Sequence, residues 1–200
     1  MFNPERTQDR VADLFDHWRQ FGYLMFPRQR RIYDQIAERV RGRVVLEAGC
    51  GTGQGTAVLA RATHDVVGTD KEPGNVGFAA HLYPWVPFAV WDISHPGRLR
   101  ADVVVCVETV EHVADAGRAV LNLLNAAREE LWISTPNGLG KPRPPDNPFH
   151  CVEYTAAEMT DFILREPALV ERVQVLDWET FQPVGLDAAC DPVVYRVTKR

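Results

Sequence analysis

Short apolar runs alternate with amphipathic segments over most of the chain. Runs of three to five residues are too short for helices and are typical of buried strands. Runs of this kind predict strands at 44–46, 66–69, 88–91, 103–107, 131–134, 173–176 and 193–197. Because strands that alternate with helices form sheets covered on both faces, the pattern predicts an α/β fold. We expect an open, doubly wound and mostly parallel sheet of about seven strands.

The last two runs differ from the others because no helix-length insert lies between them. A parallel connection needs a crossover of a dozen or more residues, usually a helix. We therefore expect the last strand to run antiparallel.

Helical spacing marks the first part of the chain. Val11, Leu14, Phe15 and Trp18 recur on one side of a segment that stops at Gly22. A second helix is predicted after Pro27, with Gly42 beyond its end. These segments predict an N-terminal helical cap over residues 1–35 and a main domain over residues 36–200, which together fit one compact domain.

Composition narrows the class of protein. Hydrophobic residues make up 46% of the 200 residues and charged residues 24%, as in ordinary globular proteins. No run approaches the ~18 apolar residues of a membrane span. The four cysteines show no paired spacing, which favours reduced thiols in a cytoplasmic protein. A net charge of −5 argues against a broad duplex-binding face, although six arginines lie between positions 28 and 43.

A glycine-rich turn follows the first predicted strand, with glycines at positions 49, 51, 53 and 55. Glycines allow a tight turn and close approach of a ligand to a helix start, although such a turn can also be purely structural. Gln54 stands where the dinucleotide fingerprint has its third glycine. The spacing therefore disfavours a nicotinamide dehydrogenase.

Acidic residues stand at or near the ends of the first three predicted strands. Glu47 precedes the glycine turn, where it would repel a pyrophosphate and attract an amine or a sulfonium. Asp70 is in position to grip ribose hydroxyls, and Asp92 could accept from an adenine amino group. A nucleoside without phosphates fits this pattern, and S-adenosylmethionine is the candidate.

Together, these segments resemble the class I S-adenosylmethionine-dependent methyltransferases over about residues 36–165. The resemblance implies a Rossmann-like, seven-stranded sheet with a reversed last strand. It also implies that Glu47, Gly49, Gly51, Asp70 and Asp92 line the cofactor site. Neighbouring positions complete the predicted cofactor-binding set: Cys50, Lys71, Ile93 and Val107. Packing is the alternative role for Cys50, and simple solvation for Lys71.

A second group of candidates follows the fourth predicted strand. If the chain turns helical there, Glu108, Glu111 and His112 share one face. Two carboxylates and an imidazole on one face predict a site for Mg, Mn or Zn, with His150 as a fourth ligand. Alternatively, Glu108 bonds the cofactor while the other two orient the next helix. Without a metal, His112 or His150 is the candidate general base.

This second group is similar to two branches of the superfamily. They are the ubiquinone-pathway O-methyltransferases and the 2′-O-methyltransferases of small-RNA 3′ ends. In both branches the residues that match Glu108, Glu111 and His112 are linked with divalent metal, and in the RNA enzymes the residue that matches His150 is too. Phe149 stands where the RNA branch has an aspartate before the later histidine. The resemblance implies O-methylation of a small-molecule or nucleotide-like acceptor. RNA 2′-O-methylation, which needs a continuous basic groove, and non-catalytic S-adenosylmethionine binding are the alternatives.

Three features of the sequence predict where the methyl acceptor binds: a long loop, a group of N-terminal aromatic residues and a stripe of arginines. Residues 136–150 contain five prolines, and a loop of this length is expected to act as a lid. N-terminal aromatic residues could roof the pocket: Phe15, Trp18, Phe21, Tyr23 and Phe26. The arginine stripe at 28–43 could meet an anionic acceptor, or could be a solvated helix face.

Overall fold

A computed structural model describes residues 25–200 of the chain. Five α-helices lie in this part: α1 (Pro27–Arg39), α2 (Gln54–Leu59), α3 (Pro73–Leu82), α4 (Ala116–Ala126) and α5 (Ala156–Leu164). The strands are β1 (Val45–Ala48), β2 (Val66–Asp70), β3 (Phe88–Val90), β4 (Ala101–Val107), β5 (Ala127–Thr135), β6 (Val170–Asp177) and β7 (Val193–Lys199). The helix predicted to end at Gly22 lies outside the described residues. No helix within the described part combines the length and apolar character needed to cross a membrane.

The seven strands form one sheet in the order β3-β2-β1-β4-β5-β7-β6. The first five strands pair in parallel, whereas β7 is antiparallel to both of its neighbours. In the β5–β7 ladder, Ile133 lies opposite Tyr195. The predicted α/β sheet with a reversed last strand is therefore confirmed. Its strand order changes direction at β1, and such a switch point opens a crevice beyond the carboxyl ends of the strands.

Helix α1 belongs to the layer that covers one face of the sheet. Pro27 occupies its first turn, where a missing N–H costs nothing. Ile32 and Ile36 are fully buried and belong to the same core as Val45 and Val103. The helix thus runs across position 35, the predicted boundary between cap and main domain. The remainder of the predicted cap stays a prediction.

Alternate residues of the strands face two separate cores, as expected for a sheet covered on both sides. One core includes Leu46, Val104 and Ile133 with α4 and α5. The other includes Val45, Val105 and Trp132 with α1 and α2. The covered faces leave the carboxyl edge of the parallel strands as the accessible place for a polar site.

The segment after β4 differs from the predicted helix. Only a single 3₁₀ turn, Val110–His112, forms there, and α4 begins at Ala116 with the Asp115 side chain as its N-terminal cap. Glu108 precedes the turn with a left-handed backbone, at φ 51°. The expectation that Glu108 shares one helical face with Glu111 and His112 is therefore wrong, because no α-helix includes them.

Candidate active site

The glycine turn between β1 and α2 needs its glycines. Gly49, Gly51 and Gly53 all have positive φ, at 80°, 51° and 83°. A Cβ atom at Gly49 would lie 2.3 Å from the Oγ1 atom of Thr109, whereas one at Gly51 would meet nothing within 4 Å. Gly49 therefore allows the loop to pack against the segment after β4, and Gly51 leaves open space beside the backbone.

Asp70 fastens the glycine turn to the end of β2. Its Oδ2 atom accepts a hydrogen bond from the backbone N–H of Gly51 at 2.9 Å. Its Oδ1 atom accepts from the N–H of Glu72 at 2.9 Å and from the Asn75 amide at 3.2 Å. The carboxylate is nearly buried and held in one orientation beside the turn. The sequence placed Asp70 at this edge, and the fold brings it into direct contact with the turn.

The third strand end is more open. Asp92 is partly buried, and its Oδ1 atom accepts from the N–H of Ser94 at 2.8 Å. Burial acts to raise the pKa of Asp92, but the hydrogen bonds from Ser94 and the charges of His95 and Lys71 lower it overall. Lys71 is exposed, whereas Ile93 is buried. The carboxylate at this edge is therefore ionised, as the predicted contact with an amino group requires.

Two further members of the predicted cofactor set, Cys50 and Val107, are buried. Burial raises the pKa of the Cys50 thiol above its usual range, which makes a thiolate nucleophile unfavourable there.

Glu47 points into the protein between α1 and α2. It is fully buried, and its two oxygens accept hydrogen bonds from the hydroxyl groups of Tyr33 and Thr56. A Cβ atom at Gly55 would lie 2.2 Å from Cζ of Tyr33, so glycine is required for this packing. Burial raises the pKa of Glu47 to about 7, although both hydroxyl donors act to lower it. In this arrangement Glu47 ties both helices to β1.

Glu111, His112 and His150 come together to form a cluster beyond the end of β4. One possible ligand atom from each residue lies within 4.8 Å of the other two. Nε2 of His112 is 3.7 Å from Oε1 of Glu111, and the two imidazole ring centroids are 4.9 Å apart. We call these residues the Glu-His-His cluster. Glu108, the other predicted ligand, is not part of it.

Hydrogen bonds orient both imidazoles of the cluster. Nδ1 of His112 lies 2.7 Å from the carbonyl oxygen of Phe149, and Nδ1 of His150 lies 2.6 Å from Oε1 of Glu153. Both partners can only accept, so each Nδ1 carries the proton. The side-chain amide of Asn147 contacts Nε2 of His150 at 3.0 Å. Carbonyl and carboxylate partners at Nδ1 are typical of metal-binding histidines, whereas the Asn147 amide donates to the Nε2 atom of His150 that would bind a metal.

Lys141 and Asp191 support the cluster from the loops around it. Nζ of Lys141 lies 2.8 Å from Oε2 of Glu153 and 2.7 Å from Oδ2 of Asp191. Asp191 also accepts from the backbone N–H of Asn137 at 2.9 Å. The long segment at 136–150, predicted as a lid, is thus attached to the loop before β7. Sequence reasoning missed Asp191 because no local motif marks it.

Glu108 forms a separate site at the end of β4. Its Oε1 atom accepts from the Ser134 hydroxyl at 2.9 Å, and its Oε2 atom is 3.8 Å from Nη2 of Arg28. Burial raises the pKa of Glu108 to about 7, although Ser134 and Arg28 act to lower it. The carboxylate is therefore poorly solvated and has one weakly engaged oxygen.

The arginine stripe at 28–43 does not act as one surface in the part that the structure describes. Arg30 pairs with Asp34 on the same helix, and Arg43 pairs with Glu129 and Glu130. Three other members have partners elsewhere: Arg28 at Glu108, Arg31 at the Glu179 carbonyl and Arg39 over the Phe181 ring. This dispersal does not favour a nucleic-acid groove.

Comparisons with known proteins agree with this geometry. Residues 46–130 match a family described as a methyltransferase domain. Residues 46–130 form a methyltransferase domain. The chain is 35% identical over 152 residues to a probable S-adenosylmethionine-dependent methyltransferase of Mycolicibacterium smegmatis, covering 69% of this chain and 56% of that protein. The chain thus spans little more than half the length of this relative.

Two further proteins similar to the methyltransferase domain extend the comparison. A ubiquinone biosynthesis O-methyltransferase of Azorhizobium caulinodans is 36% identical over 85 residues, covering 39% of this chain and 33% of that protein. A TehB-like S-adenosylmethionine-dependent methyltransferase from Corynebacterium glutamicum superposes with a TM-score of 0.72 at 21% identity. That comparison covers 99% of this chain and 100% of the other, and it establishes the fold.

Proposed function

We propose that the chain transfers a methyl group from S-adenosylmethionine to an oxygen of a small-molecule or nucleotide-like acceptor. The observation that carries the proposal is the glycine turn fastened to Asp70, with Asp92 at the same edge of the sheet. A negative rim next to an open glycine turn suits a cationic nucleoside better than a pyrophosphate. The name of the relative from Mycolicibacterium smegmatis supports the same donor.

The chain's own residues would position the donor. Asp70 would accept from the ribose hydroxyls, and Asp92 would accept from the adenine amino group. Glu47 would act from behind the turn, by holding α1 and α2 against β1 through Tyr33 and Thr56. The sulfonium already activates its methyl group, so the protein's main tasks are in-line placement of the nucleophile and exclusion of water.

Transfer to oxygen is supported by the similarity to the ubiquinone biosynthesis O-methyltransferase over 85 residues. The Glu-His-His cluster supports it independently, because its imidazoles could take the acceptor's proton. His112 and His150 each keep a proton on Nδ1, so Nε2 is the atom of either ring that could take a proton, and at His150 the Asn147 amide would first have to release it.

A divalent ion at the Glu-His-His cluster is the second element of the proposal. One carboxylate and two imidazoles suit Zn or Mn better than Mg, and both imidazoles are already oriented by acceptors. A bound ion would lower the pKa of an acceptor hydroxyl, as metals do for bound water. Within this arrangement, Glu153 and the Phe149 carbonyl hold the rings in place.

The proposal is tested by binding before any acceptor is known. Metal-stripped protein is titrated with S-adenosylhomocysteine, then with Zn, Mn or Mg, while calorimetry and thermal unfolding are followed. We expect one nucleoside site, and a metal site that His150→Ala abolishes without affecting the nucleoside. Absence of nucleoside binding would contradict the function, and absence of binding by any of the three metals would contradict the metal site alone.

A further inference from the structure

Glu108 occupies a junction between the glycine turn and the next strand. Its backbone N–H donates to the Ser134 carbonyl at 2.9 Å, and the following residue, Thr109, packs directly against Gly49. Its φ of 51° lies in the left-handed region, which is unusual for a residue with a side chain. The contacts on both sides hold this backbone in place, so the direction of the Glu108 side chain is fixed next to the predicted donor site.

Only one oxygen of the Glu108 carboxylate accepts a hydrogen bond from the described residues. Its side chain is 6% exposed, and Oε1 accepts from the Ser134 hydroxyl at 2.9 Å. The nearest cation to Oε2 is Arg28, at 3.8 Å, which is too long for a hydrogen bond. Within residues 25–200, Oε2 accepts no hydrogen bond, so this oxygen can accept one from a ligand.

Two cations, Arg28 and Lys141, lower the pKa of Glu108, and they differ in whether other carboxylates already pair with them. Lys141 is already paired with Glu153 and Asp191, at 2.8 and 2.7 Å. Arg28 makes no hydrogen bond in the described part of the chain, and its side chain is 47% exposed. A guanidinium carries five N–H donors in a planar fork that matches a carboxylate. Arg28 is thus the cation available to an incoming anion.

We propose that Arg28 and Glu108 form a recognition pair for an acceptor that carries a hydroxyl next to a carboxylate. The acceptor hydroxyl donates to Oε2 of Glu108, and its carboxylate binds the Arg28 guanidinium. The acceptor class is therefore a hydroxy acid. A monoanion fits better than a phosphate dianion, because Glu108, 3.8 Å from Arg28, and Asp191 would repel the second charge. This inference rests on the proposed function and specifies its substrate.

The test uses small probes on protein saturated with S-adenosylhomocysteine. The probes are 2-hydroxybenzoate, its neutral analogue 2-hydroxybenzamide, and benzoate, which lacks the hydroxyl. We expect 2-hydroxybenzoate to bind about tenfold more tightly than either analogue, because each analogue loses one charge-assisted hydrogen bond and a tenfold change in affinity is about 1.4 kcal/mol. Arg28→Gln removes the preference over the amide, and Glu108→Gln reduces the preference over benzoate.

A matched control comes from the same helix. Arg30 pairs with Asp34, so Arg30→Gln should leave all three affinities unchanged. Unchanged binding of S-adenosylhomocysteine shows that each variant is folded. If wild-type protein binds the nucleoside but does not prefer 2-hydroxybenzoate, or binds none of the probes, the recognition pair is wrong and the proposed function stands. If the nucleoside itself does not bind, both proposals fail.

Discussion

Nδ1 of His150 lies 2.6 Å from Oε1 of Glu153. The other carboxylate oxygen of Glu153 is 2.8 Å from Nζ of Lys141. The ammonium and the imidazole N–H both lower the pKa of Glu153, against the effect of its burial. An ionised Glu153 fixes the tautomer of His150, so the geometry of the Glu-His-His cluster depends on a residue outside it.

Replacing Glu153 by Gln should therefore weaken metal binding. The amide keeps the shape but removes the charge that orients His150, and the loss of such a partner lowers metal affinity roughly 10–100-fold. The measurement is a calorimetric titration of Zn. Glu171→Gln, at an exposed position in β6, is the control and should retain the wild-type affinity. Equal Zn affinity in the wild type and in Glu153→Gln would contradict this role.

Asp70→Asn should lower the affinity for S-adenosylhomocysteine by roughly 10–100-fold, because hydrogen bonds to a charged group contribute about 1.5–3 kcal/mol. Asn is nearly the same size and can still accept from the Gly51 N–H, but its amide nitrogen cannot accept from the Glu72 N–H, so thermal unfolding of the variant checks that the fold persists. Asp65→Asn, at an exposed position just before β2, is the matched control. The account would fail here if both variants bound the nucleoside equally well in a calorimetric titration.

Comparing Gly49→Ala with Gly51→Ala should distinguish a steric clash of the new methyl group from the backbone strain that a positive φ causes. Both positions have positive φ, but only at Gly49 would the new methyl group lie 2.3 Å from Thr109. We expect Gly49→Ala to displace the turn, with loss of nucleoside binding and a lower melting temperature. At Gly51 the cost is limited to about 1–2 kcal/mol of backbone strain. Binding of the nucleoside and thermal unfolding measure both effects, and equal behaviour of the two variants would contradict the contact.

The pH dependence of stability should report the burial of Glu47. The unfolded carboxyl has a pKa near 4.5, and the folded one has a pKa of about 7. Between these values the folded protein holds the extra proton, so the stability contributed by Glu47 is full below pH 4.5 and is lost as the pH rises through 7.

The expected loss is roughly 3 kcal/mol, at about 1.4 kcal/mol per pKa unit. Urea unfolding at pH 5 and pH 8 measures it. The difference between the two pH values should shrink in Glu47→Gln, which has no proton to lose. If the wild type and this variant show the same pH dependence, the carboxyl is ionised in the folded state at pH 5.

Much of the fold could be predicted because its signals are local. The apolar runs that start at Val66 and Val103 lie within strands. The connection before Val193, which contains no helix, does lead into an antiparallel strand. The glycine turn and the acidic strand ends are also visible as short local motifs. The sequence alone could therefore predict that Gly51 and Asp70 belong to the same site.

The rest of the site depends on contacts between distant segments. The helical prediction after β4 failed at Glu108, whose backbone is fixed by Ser134 and by the packing of its neighbour against Gly49. Asp191 meets Lys141 across 50 positions of the sequence. Glu47 turns inward because Tyr33 and Thr56 supply hydroxyl donors there, and spacing along the chain carries no information on such pairings.

Calorimetric titration of the folded protein with S-adenosylhomocysteine tests the central claim most directly. We predict saturable uptake of one nucleoside per chain, and a marked loss of affinity in Asp70→Asn. Heat signals no larger than those of dilution, from protein whose circular dichroism shows the expected α/β content, would contradict the claim.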